Sequence, residues 1–204
     1  MTKGISMEKR IEFYFDFGSP TAYLAWTQLP AIAADHQAEL VFKPVLLGAI
    51  HKATNNASPA MIPAKSAWML EDLQRFARKY GVRYEHNPHF PINTLTLMRG
   101  ATGLQMRDEA LFQRYVDVIF RAMWAQPQNL GDPDTLQKVL QDGDLDYRLI
   151  AGIVQDPAVK ERLKAETEAA VARGLFGTPT MFVGTQMFFG QDRLDFVRDA
   201  LNFD

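Results

Sequence analysis

Ile11-Glu-Phe-Tyr-Phe-Asp-Phe17, followed by Gly18-Ser19-Pro20, is the stretch on which the reading of the fold turns. Ile11, Phe13, Phe15 and Phe17 fall on one face at period two and aromatic residues favour extended chain, so 11–17 reads as a strand. Gly18 stops it. Serine is a favoured N-cap and proline is favoured at the first helical position, so Ser19-Pro20 opens a helix through Tyr23, Leu24, Leu29 and Ile32. Pro30 is expected to bend that helix or end its first stretch. Glu39 to Leu47 reads as a second strand, and a strand–helix–strand opening favours parallel pairing with a right-handed crossover.

Beyond Gly48 the pattern turns helical. Leu70, Leu73, Phe76 and Tyr80 recur at helical spacing before Gly81, and Leu111, Tyr115, Val118, Ile119 and Ala122 do so before Gln126-Pro127. Asp132-Pro133 and Asp156-Pro157 read as further N-cap and N1 pairs, and a helix from Pro157 to about Arg173 ends at Gly174. Met181-Phe-Val183, a turn at Gly184-Thr185, and Gln186-Met-Phe-Phe189 read as a hairpin, with a last helix from about Asp192. Asn55-Asn56-Ala-Ser-Pro-Ala60 is too short to be a linker between independent domains. The expected fold class is therefore α/β, a thioredoxin-like plan (β-α-β … β-β-α) with a large all-helical insertion. Residues 11–48 and 174–204 make the thioredoxin-like part. Residues 49–173 make the insertion packed on it, including the helix that leads back to the sheet.

Composition narrows the function classes. The 204 residues are 47% hydrophobic and 23% charged, which suits a folded globular chain. With 22 Lys and Arg against 24 Asp and Glu, the formal charge of −2 gives no field drawing the chain to nucleic acid or an anionic membrane, so neither partner is expected. There is no cysteine, which excludes disulfides, thiolate metal sites and a cysteine nucleophile. Any thiol chemistry must use a sulfur brought by a ligand. Residues 1–10 carry charges without an apolar segment behind them, so no signal peptide is expected, and the default location is cytoplasmic.

Several residues sit where chemistry is feasible. Ser19, between strand and helix, places its donors at the positive end of a helix dipole, where an anion is stabilised; its plainer role is an N-cap. Thr178-Pro179-Thr180 precedes a strand, and in the thioredoxin plan this proline is cis, leaving the Thr178 backbone groups to pair with an extended ligand. Gly190-Gln191-Asp192-Arg193 opens the last helix and offers backbone N–H groups, or an ordinary cap. Ser-His-Asp hydrolysis lacks its Gly-x-Ser-x-Gly signature. His86-Asn-Pro-His89 has a chelating spacing, but Pro88 prevents a helix and no neighbouring Asp completes a ligand set, so no metal is expected. His36 and His51 read as surface or loop residues. The basic cluster Arg75, Arg78, Lys79 and Arg83 reads as a solvated helix face.

Taken in order, Phe13-Tyr-Phe-Asp-Phe-Gly-Ser-Pro20, Tyr23-Leu-Ala25, Asn55-Asn56, Trp68, Asp72-Leu-Gln-Arg75, Asn93-Thr94, Trp124, Phe176-Gly-Thr-Pro-Thr-Met-Phe182 and Gly190-Gln-Asp-Arg-Leu194 carry a resemblance. The chain resembles the 2-hydroxychromene-2-carboxylate isomerases, relatives of kappa-class glutathione transferases and DsbA-type oxidoreductases, from about Ile11 to Leu201. The resemblance implies glutathione as cofactor, with Ser19 in place of the first cysteine of C-x-x-C. It implies that Ser19, Asn56, Thr178, Pro179, Gln191 and Asp192 hold glutathione, and that Asn93 and Trp124 stand near the acceptor pocket. Gly18 departs from members with a larger residue before the serine.

The implied reaction interconverts 2-hydroxychromene-2-carboxylate and trans-o-hydroxybenzylidenepyruvate, small aromatic acids of naphthalene-type catabolism, by reversible thiolate addition that lets a conjugated C=C bond rotate. Ser19 would donate a hydrogen bond to the sulfur. A kappa-like glutathione transferase shares every one of these residues, and a non-catalytic thioredoxin-fold binding protein would use the same groove. Total glutathione separates the first two, because an isomerase leaves it unchanged. The oligomeric state stays open, with a homodimer among the options.

Overall fold

The computed structural model describes residues 9–203. The signal-peptide reading of residues 1–10 therefore falls largely outside the described residues.

Strand β1 (Arg10–Phe15) leads through a turn at 16–19 into helix α1 (Pro20–Asp35), which returns to strand β2 (Glu39–Pro44). Helices α2 (Leu47–Ala53), α3 (Pro63–Tyr80), α4 (Leu95–Gln105), α5 (Glu109–Trp124), α6 (Pro133–Asp142), α7 (Tyr147–Gln155) and α8 (Pro157–Ala172) follow. The chain then forms β3 (Thr180–Val183), β4 (Gln186–Phe189), a 3-10 turn at Gln191–Arg193 and α9 (Leu194–Phe203). The sheet order is β2-β1-β3-β4, with β1 parallel to β2 and antiparallel to β3. This is the expected plan, and it makes β1 a central strand.

The strand expected over 11–17 ends at Phe15, but the period-two face is enclosed throughout: Ile11, Phe13 and Phe15 on β1, and Phe17 in the turn, are all 0% exposed. The three phenylalanines pack edge-on or tilted against Phe42, Tyr115 and Phe120, so one core runs from the sheet into α5. The opposite face is covered as well. Tyr14, Val45, Ile50, Ala170, Leu175 and Phe182 form a second cluster, which brings α2 and α8 against the sheet.

Three further local expectations are corrected. Helix α1 runs unbroken through Pro30. Pro30 is exposed, and the buried residues Tyr23, Leu24, Leu29, Ile32 and Ala33 hold the helix on both sides of it, so one deleted backbone bond does not end it. Strand β2 ends at Pro44 rather than Leu47: Val45 N–H still reaches the Phe15 carbonyl (3.1 Å), but the N–H groups after it leave the ladder, Leu46 donating to Thr167 Oγ1 (3.1 Å) and Leu47 to Asp16 Oδ2 (2.9 Å). On α3, Leu73 is buried but Leu70 is exposed, so only part of the apolar stripe faces the core. The caps at Asp132-Pro133 and Asp156-Pro157, and left-handed Gly174 after α8, are as read.

Helix α4 is enclosed by its neighbours, and small residues permit this. A Cβ on Gly103 would sit 2.1 Å from Ile153 Cγ2 on α7 and 3.0 Å from Val159 Cγ2 on α8. Gly103→Ala is therefore expected to lose about 1–2 kcal/mol in urea denaturation despite alanine's better helix propensity. Adding Ile153→Ala should reduce the further cost of the first change. A Gly103→Ala variant as stable as the parent would show that α7 shifts freely.

Candidate active site

The turn at 16–19 organises everything near it. Ser19 has extended backbone, and its Oγ caps α1 by accepting from the Ala22 N–H at 3.1 Å. The same hydroxyl donates to the Thr178 carbonyl at 2.9 Å, joining the start of α1 to the loop before β3. Pro20 has no N–H, Ala22 donates to Ser19 Oγ, and Tyr23 donates to the Ser19 carbonyl. Among the described residues this leaves the Thr21 N–H unpaired, at the positive end of α1, whose first turn holds no acidic residue.

The Thr178–Pro179 bond is cis, as expected, and so is Phe90–Pro91. One part of the expectation for Thr178 is corrected. Its carbonyl is not free, because the Ser19 and Thr21 hydroxyls both reach it, at 2.9 and 3.3 Å. What remains open on Thr178 is the N–H and, more tellingly, the side chain. Thr178 is buried, and its Oγ1 is the one buried side-chain polar atom without a hydrogen-bond partner among the described residues. A buried hydroxyl left unpaired is costly unless something else satisfies it.

Gln191 and Asp192 lie in the 3-10 turn after β4. The turn is tied to the cis-proline loop by Gly190 N–H donating to the Pro179 carbonyl (3.0 Å), and to α3 by the Tyr80 hydroxyl donating to the Gln191 carbonyl (2.6 Å). Burial, helped by Asp195 and Asp192, pushes Tyr80 up to about 12, so it remains a donor at neutral pH. Gly190 has φ 101°, and a Cβ there would stand 2.5 Å from Asp192 Oδ1. Asp192 is exposed, makes no capping bond and pairs with Arg193 at 2.7 Å. Both partners are substantially solvated, so the pair is readily exchanged for another cation. Asn56 is exposed, and its Nδ2 donates to the Phe176 carbonyl at 2.8 Å, so it braces the same loop.

Of the two expected acceptor-side residues, Trp124 reaches the turn from the other side and Asn93 does not. Trp124 is 0% exposed, and its Nε1 donates to the Phe17 carbonyl at 2.8 Å. It packs beneath Tyr84, His86 and Phe90, so any contact with an acceptor passes through those neighbours. Asn93 is exposed and its Oδ1 accepts from the Leu95 N–H at the start of α4. His86 and His89 are exposed, and no cluster of three ligating side chains exists among the described residues.

The sequence reading assigns no role to Asp16, Thr21 or Thr94, although Asp16 and Thr94 lie within the quoted motifs. Asp16 is 2% exposed, and its Oδ1 accepts from Gly18 N–H (2.9 Å) and the Thr94 hydroxyl (2.7 Å), while Oδ2 accepts from Leu47 N–H. It thus joins the turn to α2 on one side and to the Asn93-Thr94 segment on the other. Burial pushes its carboxyl above the ordinary range, opposed by those three hydrogen bonds and by nearby His51. The available signal is an acid directly after a run of aromatic residues, three residues before a helix cap.

A family model described as DSBA-like thioredoxin domain matches residues 10–202. The chain is 31% identical over 198 residues to a 2-hydroxychromene-2-carboxylate isomerase of Sphingobium xenophagum, covering 96% of this chain and 99% of that protein. It is 28% identical over 204 residues to glutathione S-transferase kappa 1 of Caenorhabditis elegans, covering 94% and 90%. A solved structure of a 2-hydroxychromene-2-carboxylate isomerase superposes with a TM-score of 0.84 at 29% identity, covering 95% of each chain.

Proposed function

The chain belongs to the DSBA-like thioredoxin-domain family and to the family of the 2-hydroxychromene-2-carboxylate isomerases, and from that premise we propose that it is a glutathione-dependent cis–trans isomerase interconverting 2-hydroxychromene-2-carboxylate and trans-o-hydroxybenzylidenepyruvate. The observation that carries the reading is a serine hydroxyl at the N-cap of α1, bonded to the residue before a cis proline, in a chain with no cysteine. Such a site stabilises a sulfur anion but has no sulfur of its own to exchange.

The residues suit a γ-glutamyl tripeptide thiol. The Thr178 N–H and its buried, unpaired Oγ1 are the groups that a bound extended peptide would satisfy. Ser19 and the Thr21 N–H would hold the sulfur, Asn56, Thr178 and Pro179 the peptide, and the Gln191-Asp192 turn the charged γ-glutamyl end. The ring C–O bond of the chromene hemiketal must first open, the hemiketal hydroxyl giving up its proton to leave a phenol and a 2-keto acid with a conjugated C=C bond. When bound, glutathione would supply a thiolate that adds reversibly to that bond, so that it rotates and is then restored. Ser19 donates toward the sulfur, and the α1 dipole favours its negative charge. Asn93 and the surface above Trp124 bound the acceptor side.

Similarity to a kappa-class transferase favours one competing reading, release of a glutathione adduct. One assay separates the two. Conversion of the chromene with and without glutathione, with total glutathione followed, should show a glutathione requirement and no net consumption. Depletion in step with product would make the protein a transferase, and conversion that ignores glutathione would overturn the cofactor assignment.

Asp192 supplies a second test. Its carboxylate would pair with the γ-glutamyl ammonium in place of Arg193. Asp192→Asn keeps the size, removes the charge and leaves Arg193 uncompensated beside the ligand, so glutathione should bind roughly five- to a hundredfold more weakly in calorimetric titration. Parental affinity in a folded variant would place the ammonium elsewhere.

A further inference from the structure

We propose that Thr21 is a positioning residue for Ser19: its hydroxyl takes over the hydrogen bond to the Thr178 carbonyl when the Ser19 hydroxyl turns to a ligand sulfur. The inference rests on the glutathione reading above.

Four contacts carry it. Ser19 Oγ accepts from Ala22 N–H at 3.1 Å, donates to the Thr178 carbonyl at 2.9 Å and lies 2.9 Å from Thr21 Oγ1, while Thr21 Oγ1 lies 3.3 Å from that same carbonyl. Two hydroxyl protons therefore share one carbonyl. A serine hydroxyl has a single proton. With that proton on the Thr178 carbonyl, Ser19 has nothing to donate outward. Without Thr21, turning it toward a sulfur would strip the carbonyl of a buried residue, and an unpaired buried acceptor costs more than an ordinary bond gains.

Thr21 removes that conflict. Rotation about its Cβ–Oγ1 bond aims its proton at the Thr178 carbonyl, and no covalent bond changes. Ser19 Oγ keeps the Ala22 N–H, so the cap on α1 survives the switch. The helix itself has no need of threonine here, since β-branched residues lose rotamer freedom in helices and Ser19 already supplies the cap. A hydroxyl on a stiff side chain, half-buried and within reach of both partners, is what the exchange requires.

The test uses the full chain with Thr21→Val and Thr21→Ser, each alone and with Ser19→Ala. The readout is the pKa of the thiol of protein-bound glutathione, followed by thiolate ultraviolet absorbance against pH, with melting temperature as a control for the fold. Thr21→Val should raise the bound thiol pKa by roughly 0.5–1 unit, a three- to tenfold loss of thiolate stabilisation, with the melting temperature held. Thr21→Ser should restore it. In the Ser19→Ala background Thr21→Val should change nothing further, since the hydroxyl it serves is gone. A parental thiol pKa in Thr21→Val, or an equal shift with Ser19 absent, overturns the proposal and leaves the glutathione reading standing. A parent protein that binds no glutathione, or leaves its thiol pKa at the free value, overturns both.

Discussion

Turnover of the chromene by Ser19→Ala is expected to fall by roughly ten- to a thousandfold, the range of a lost transition-state donor, with only a small loss of glutathione affinity. The geometry adds a second, separable consequence. Ser19 Oγ also caps α1 and holds the Thr178 carbonyl, so the variant should be about 1–2 kcal/mol less stable. Steady-state kinetics, titration of the bound thiol and denaturation together apportion the roles. If stability falls while turnover and the thiol pKa hold, Ser19 is a cap and nothing else.

Asp16→Asn is expected to be the most damaging conservative change to stability, by about 2–4 kcal/mol near neutral pH. Both carboxylate oxygens accept, and they face two backbone N–H groups and a hydroxyl. An amide in that place turns an N–H toward at least one donor. The pH dependence follows from the raised native pKa. The folded chain holds this proton more tightly than the unfolded chain, whose carboxyl titrates near 4, roughly the ordinary aspartate value. The stabilisation tied to that proton is fully present below the unfolded value and is lost as pH rises through the native one. The variant has no such proton, so the gap in unfolding free energy between parent and variant should widen as pH falls from neutral toward 4. Urea denaturation at a series of pH values measures it. A gap that narrows toward acid would mean that the three hydrogen bonds outweigh burial and hold the native carboxyl below the ordinary range.

How far the sequence could be read depended on the range of the forces concerned. Strand β1, the Ser19-Pro20 cap, the Asp132 and Asp156 caps and the 180–189 hairpin follow from neighbours within a few residues, and all are legible. The end of β2 is not, because Thr167 and Asp16 decide it, 121 and 31 residues away from the N–H groups they take. The burial of Asp16 was hidden for a related reason. Alternation says that it faces away from Phe15, but only the placement of α2 and α8 encloses that second face. Leu70 shows the converse: helical spacing tells which side chains share a face, not whether a neighbour covers it. At the candidate site, Ser19 and Thr178-Pro179 could be named from spacing and resemblance. Thr21 and Thr94 could not, since a threonine's meaning here lies in the acceptor it reaches.

The pairing of β1 with β3 also bears on when this site comes into being. The hydrogen bond between Ser19 and Thr178 spans 159 residues of chain, and β3 pairs beside β1 only after all of α2 to α8 has been synthesised. A contact of such long sequence separation carries a large loop-closure cost unless the intervening helices fold first and shorten the path. Until then β1 keeps one edge unpaired, which is a hazard for a strand rich in phenylalanine. The junction of Ser19 with Thr178 is thus a late product of folding, and its formation marks the moment at which the aromatic strand is shielded from other nascent chains.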